Sequence, residues 1–168
     1  MDRALADSWN ALVKPEDTVY HLGDFALGHP ASAIKMLQHL KGRKILIKGN
    51  HDKQVQRITG PGLFEEVHEQ LVVEVGGRRV LLCHYPYRPE GASLDHLRET
   101  AEKEGWNFQR YLGRMPVYKG MFSLCGHVHQ KWTWQGKSFN VGVDVHNFKP
   151  LSEEQVAAAI LERQGESE

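Results

Sequence analysis

Apolar positions recur along this chain with two periods, and the changes between them mark its elements. Leu5, Trp9, Leu12 and Val13 return at helical spacing, which predicts a helix over residues 3–13 with one apolar face. Lys14-Pro15-Glu16-Asp17 breaks it, and residues 18–22, rich in β-formers, predict a short strand. Pro30 opens a second helix, in a first turn that needs no N–H from it. Ile34, Leu37 and Leu40 supply that helix's buried stripe and Gly42 its stop. Residues 44–48 are the next strand. Gly76-Gly77, between apolar runs at 71–75 and 78–83, is a two-residue hairpin signal. Residues 121–125 and 138–143 read as two more strands. Ser152 caps a last helix, where Gln155 completes a capping box and Leu151 staples against Val156. Between them, residues 89–119 are heavily charged and predict one helix near 93–103. The tail from Gln164 is expected to fray.

Helix and strand alternate in the first third, and hairpin-like strands dominate afterwards. The pattern predicts an α/β or α+β domain, with two packed sheets flanked by helices. The 168 residues suit one domain, enough to bury roughly 70% of the surface of the unfolded chain. A composition of 40% hydrophobic and 25% charged residues is that of a soluble globular protein. Lys plus Arg equals Asp plus Glu at 21 each. No global field therefore favours nucleic acid or an anionic membrane, and a phosphate substrate must be drawn by local charge. No apolar run approaches the ~18 residues of a membrane span, and the start does not read as a signal peptide. Cys83 and Cys125 fall in predicted buried strands, and two cysteines make no disulfide framework, so a reduced, cytoplasmic protein is expected.

Candidate chemistry sits where the apolar runs end. Gly23-Asp24, Gly49-Asn50-His51-Asp52, His84 and Gly126-His127-Val128-His129 each follow a predicted strand. A carboxylate at a strand's C-terminal end lies where open sheets bind ligands. On an extended segment, His127 and His129 point the same way. Asn50 adds a neutral oxygen. This mixed oxygen and nitrogen set, without thiolates, favours Mn, Fe, Zn, Ni or Mg. Any one of these histidines alone is more often structural than a ligand; the four clusters in order carry the reading. His21, three residues before Asp24, points to the opposite face and reads as core. Asp144 and His146 follow a strand near the end of the chain and read mainly as structural, and His29, His39, His68 and His96 as surface or helix-face residues. Arg88 suits either a substrate phosphate or a solvated loop. Trp106, Phe108 and Tyr111 suit a lid over the site or ordinary packing. Trp132 and Trp134 suit a hairpin, an interface or a base-stacking surface.

Together these residues resemble the signature of the calcineurin-like metallophosphoesterases, above all their small phage and bacterial members. The strings Val19-Tyr20-His21-Leu22-Gly23-Asp24-Phe25 and Asn140-Val141-Gly142-Val143-Asp144-Val145 are familiar there. The resemblance implies a two-sheet sandwich with outer helices. It implies that Asp24 bridges two divalent metal ions, that Asn50, His84 and His127 complete one site, and that His129 serves the other. It further implies hydrolysis of a phosphate mono- or diester by a metal-bound hydroxide. His51 would be the general acid, with Asp52 orienting its ring and raising its pKa. The family's Asp-x-His motif, on a strand ahead of the Gly-Asp strand, has no counterpart before Asp24. The expectation is thus a fold lacking its first strand, one or two ions per chain, and reduced activity. A non-catalytic scaffold on the same fold and a nuclease of the same superfamily are the alternatives. The expected partner is a small phosphoester; a homo-oligomer is compatible with exposed strand edges, while a membrane or nucleic acid is not expected.

Overall fold

The computed structural model describes residues 2–25, 30–88, 111 and 113–165. Two blocks of chain build two sheets. β1 (Thr18–His21), β2 (Arg43–Ile47) and β3 (Phe64–His68) form a parallel sheet in that order. β4 (Gln70–Val75), β5 (Arg78–Cys83), β6 (Phe122–Cys125), β7 (Trp134–Gln135) and β8 (Ser138–Asn140) form a mixed sheet ordered β4-β5-β6-β8-β7. Within it β5, β6 and β8 run parallel, while β4 and β7 pair antiparallel with their neighbours. The helices are α1 (Asp2–Leu12), α2 (Pro30–His39) and α3 (Glu153–Gly165).

A parallel pair needs a crossover, and α2 supplies it between β1 and β2. β2 is buried from Lys44 to Ile47, as a strand covered on both faces must be. Successive side chains take opposite faces. Leu46 packs with Ala33 and Leu37 of α2 and with Phe64, whereas Ile47 joins Val80, Leu82, Leu124, Phe139, Val156 and Ile160 in the main core. Lys44 is buried with its ammonium donating to the carbonyls of Leu40 and Gly42, and burial lowers its pKa. It thereby satisfies carbonyls left open just beyond α2. α1 is tied to the same corner: Trp9 Nε1 donates to the Lys41 carbonyl, and the Asn10 amide bonds His39 O and Lys41 N–H.

The hairpin and the last helix form as their residues predict. Gly76 and Gly77 have φ of 54° and 75°, the double positive φ of a type I′ turn. Ser152 N–H donates to Gln155 Oε1 at 2.9 Å and Gln155 N–H to Ser152 Oγ at 3.3 Å, a reciprocal capping box. Leu151 and Val156 share the main core.

One expectation is corrected and one strand is added. The strand predicted over 138–143 ends at Asn140, and a 3-10 turn, Val143–Val145, follows. Asn140 is the cause: its Nδ2 donates to the carbonyls of His129 and Trp132, and its Oδ1 accepts Gly142 N–H. β3, Phe64-Glu65-Glu66-Val67-His68, is the added strand, and its sequence carries no apolar alternation to predict it. Trp134 belongs to the β7–β8 hairpin, stacked on Phe139 with ring centroids 4.4 Å apart. The helix predicted near 93–103, with Trp106 and Phe108, lies outside the described residues. Cys83 and Cys125 are free and buried; burial pushes the Cys83 thiol up to about 11 and the Cys125 thiol higher still. Among the described residues no helix is long and apolar enough to cross a membrane.

Candidate metal centre

The C-terminal ends of β1, β2, β5 and β6 converge, and each delivers one of the polar clusters. Ligand atoms of Asp24, His84 and His127 all lie within 4.8 Å of one another. His84 is the hub, 2% exposed. Its Nδ1 sits 2.7 Å from the carbonyl of Leu22. A carbonyl only accepts, so Nδ1 carries the proton and Nε2 presents a lone pair. That nitrogen faces Asn50 Oδ1 at 3.2 Å, His127 Nδ1 at 3.2 Å and Asp24 Oδ2 at 3.4 Å. A divalent cation set among these atoms would be met by all four side chains.

Protonation states suit that role. Burial, reinforced by the neighbouring His84, lowers His127 to about 4, so its ring is neutral at neutral pH. Burial works to raise Asp24, but the His84 ring and the backbone N–H of His51, 2.8 Å from Oδ1, hold its carboxyl below the ordinary value. Metal ligands must be deprotonated in this way. Asp24, His127 and His129 have φ of 57°, 62° and 47°. Non-glycine residues rarely adopt that left-handed conformation, and such residues gather at functional sites. Two glycines let the strand ends touch. A Cβ on Gly23, itself at φ 91°, would lie 2.7 Å from Gly49 N, and one on Gly49 would run into the Asp24 carboxylate.

Asp52 is not where the sequence reading puts it. Its carboxylate is buried and accepts three backbone N–H groups: Asp24 at 2.7 Å, Gly49 at 2.9 Å and Phe25 at 3.0 Å. No hydrogen bond joins it to the His51 ring among the described residues. Asp52 ties the loop after β1 to the loop after β2, while the side chain of His51 is exposed beside them.

His129 lies outside the close cluster. Its side chain is 80% exposed, and its Nδ1 is 3.2 Å from Asp144 Oδ2, a partner that sequence reasoning treats as structural. His21 is half-buried against the core: its ring packs edge-on against Phe25 and Phe64, its Nδ1 is buried without a partner, and burial lowers it to about 4. His146 donates Nε2–H to the Asn140 carbonyl, His68 pairs with Glu66, and Arg88 donates to the Met115 carbonyl. His39 is at the exposed end of α2, whereas His29 and His96 lie outside the described residues. An aromatic wall backs the centre. Tyr85 and Tyr111 stack at 5.6 Å, and each ring is 4.9 Å from that of His127.

Comparison with known proteins agrees with this geometry. A family model described as the calcineurin-like phosphoesterase superfamily domain matches residues 2–147. An uncharacterized protein of Methanocaldococcus jannaschii is 27% identical over 161 residues, 90% of this chain and 70% of that protein. The gene 66 protein of Mycobacterium phage L5 is 33% identical over 164 residues, 85% of this chain and 73% of the phage protein. A crystal structure of a protein of unknown function from Aquifex aeolicus superposes with a TM-score of 0.64 at 28% identity, covering 95% of this chain and 84% of that one. On the match across residues 2–147, and with two sheets whose strand ends gather an Asp, an Asn and two His, the chain belongs to the calcineurin-like phosphoesterase superfamily.

Proposed function

We propose that this protein hydrolyses phosphate mono- or diesters with a divalent cation held by Asp24, Asn50, His84 and His127, and with His51 as the general acid. The observation that carries the reading is the lone pair of His84 Nε2, fixed by the Leu22 carbonyl and turned on three further ligand atoms. A bound divalent ion supplies Lewis-acid activation of water and neutralises charge on the phosphoryl oxygens. The chain's own residues do the rest. Asp24 stays ionised and His127 neutral, which readies both to bind a cation without first losing a proton. Asp52 holds the two ligand loops together. His51 is anchored by its backbone N–H on Asp24 Oδ1 and keeps its exposed ring free to reach a leaving oxygen, the geometric requirement for a general acid. Manganese is the first ion to test, and a cytoplasmic location fits the two free thiols.

Turnover of bis(p-nitrophenyl) phosphate is expected with Mn²⁺ and not without it. His51→Ala is expected to lower kcat by about 10²–10⁴-fold with the metal retained. Asp24→Asn is expected to lose both turnover and bound metal, read by elemental analysis. Undiminished turnover in both variants would sink the proposal.

His129 belongs to this proposal as the ligand on the open side of Asp24. Asp144 accepting its Nδ1–H leaves Nε2 as the ligand atom, the carboxylate–histidine pairing common around metals. Asp144→Ala is expected to weaken metal retention by about 10–100-fold with the fold intact, measured by titration of Mn²⁺ into metal-free protein. An unchanged affinity would remove Asp144 from the site.

A further inference from the structure

A cleft of about 600 Å³ opens against Asn50 and His51, and its other walls carry Lys48, Lys53, Glu69, Tyr111 and Arg114. The charges in it do not balance. Glu69 is engaged by Lys48 at 2.7 Å, and Asp52, at the cleft's base, has its oxygens on three backbone amides. Lys53 and Arg114 make no ion pair within 4.0 Å among the described residues; Arg114 lies beside the Tyr85 hydroxyl, which with Glu69 further off raises its pKa. The chain as a whole carries no net charge, so these two cations are a local anion-attracting feature of the kind a neutral protein needs.

Their position says which part of a substrate they meet. The phosphoryl group under attack belongs at the converging ligand atoms. The group that departs must reach His51, and His51 lines this cleft. We propose that the cleft is the leaving-group subsite, and that Lys53 and Arg114 select a leaving alcohol that carries a phosphoryl group of its own. The inference rests on the phosphoesterase reading above and adds its substrate class: a bisphosphorylated compound, such as a nucleotide with a second phosphate on its sugar. Atoms balance simply. Water oxygen bonds to phosphorus and gives a proton to solvent. The ester P–O bond breaks with its electron pair on the sugar oxygen, and His51 protonates that oxygen and is reprotonated from solvent. The second phosphate is not cleaved; it is held. Arg114 offers it a planar fork of donors, and Lys53 offers a flexible ammonium. The two differ in reach, not in sign. A 600 Å³ cleft has room for a nucleotide.

The test uses two substrates that differ only in the held phosphate, adenosine 3′,5′-bisphosphate and adenosine 3′-monophosphate, with the Mn²⁺-loaded full chain. The bisphosphate is expected to have a kcat/KM at least about tenfold higher. Arg114→Ala and Lys53→Ala are each expected to shrink that ratio by roughly tenfold, the scale of one lost hydrogen bond to a charged group. A ratio of one in the wild type, or a ratio unmoved by both variants, overturns the proposal. A second readout needs no turnover: calorimetric titration of the leaving nucleotide, AMP, against adenosine. AMP is expected to bind at least about tenfold tighter than adenosine, with the difference lost in Arg114→Ala. Equal binding overturns the subsite whatever the rates show. Tight AMP binding without turnover would sustain the subsite while refuting the phosphoesterase reading.

Discussion

Asp52→Asn is expected to destabilise the protein by about 1–3 kcal/mol, while the neighbouring His51→Ala changes stability by no more than about 0.5 kcal/mol. The contrast follows from what each side chain touches. Asp52 is 2% exposed and accepts the backbone N–H groups of Asp24, Phe25 and Gly49. Asp24 and Gly49 share Oδ2 while Phe25 uses Oδ1, so an asparagine that keeps its oxygen at the Oδ2 position leaves one N–H, that of Phe25, facing an NH₂ group. Each such group costs about 1–3 kcal/mol. The ring of His51 is exposed, and its anchor to Asp24 is its backbone N–H, which alanine retains. Urea unfolding of the two variants measures the difference. His51→Ala should lose turnover with its metal bound, whereas Asp52→Asn should keep its metal, because one amide oxygen still holds the N–H groups of Asp24 and Gly49. A carboxylate acting on the His51 ring makes the opposite prediction: Asp52→Asn would shift the pH profile of turnover and leave unfolding almost unchanged.

That contrast also shows where a sequence can mislead. The polar clusters at strand ends are legible because strand, turn and ligand are consecutive residues, and local patterning reports consecutive residues well. The Gly76-Gly77 turn and the Ser152–Gln155 capping box form for the same reason. Asp52 next to His51 invites the reading of a working pair, yet the function of Asp52 depends on two loops meeting across 28 positions of chain. Nothing in the letters around position 52 encodes that meeting. Asp144 is hidden similarly, since its partner His129 is 15 residues away and joined to it by a turn that Asn140 creates. β3 escapes notice for another reason. Its Glu65 and Glu66 bond Arg43 of β2, so the strand holds charges at a sheet edge, where apolar alternation is not required and charge discourages further pairing. The fold class is robust to these omissions because β2, buried on both faces, already demands layers on either side.

Acidification is expected to weaken the metal-free protein through His21. Burial lowers this histidine to about 4, against the opposing pull of Asp52 and Asp24, while in the unfolded chain it titrates near 6.5. Between those values the unfolded state binds the proton and the folded state does not. The contribution of neutral His21 is therefore complete above pH 6.5 and is lost as the pH falls toward 4. At pH 4.5 the loss is about 2–3 kcal/mol relative to pH 7. His127 acts in the same direction, but it is partly solvated and contributes less. The test is His21→Leu, close in volume and apolar. The native Nδ1 has no hydrogen-bond partner, so leucine sacrifices no bond there, and stability at pH 7 should hold within about 1 kcal/mol. Between pH 7 and 4.5 the variant should lose about 2–3 kcal/mol less than the wild type. Parallel loss in both proteins would show that His21 is not the titrating group. The physical reason to keep this ring neutral lies three residues along the chain. A protonated His21, within electrostatic reach of Asp24, would offset part of the carboxylate charge, and the affinity of the centre for a cation would fall with it.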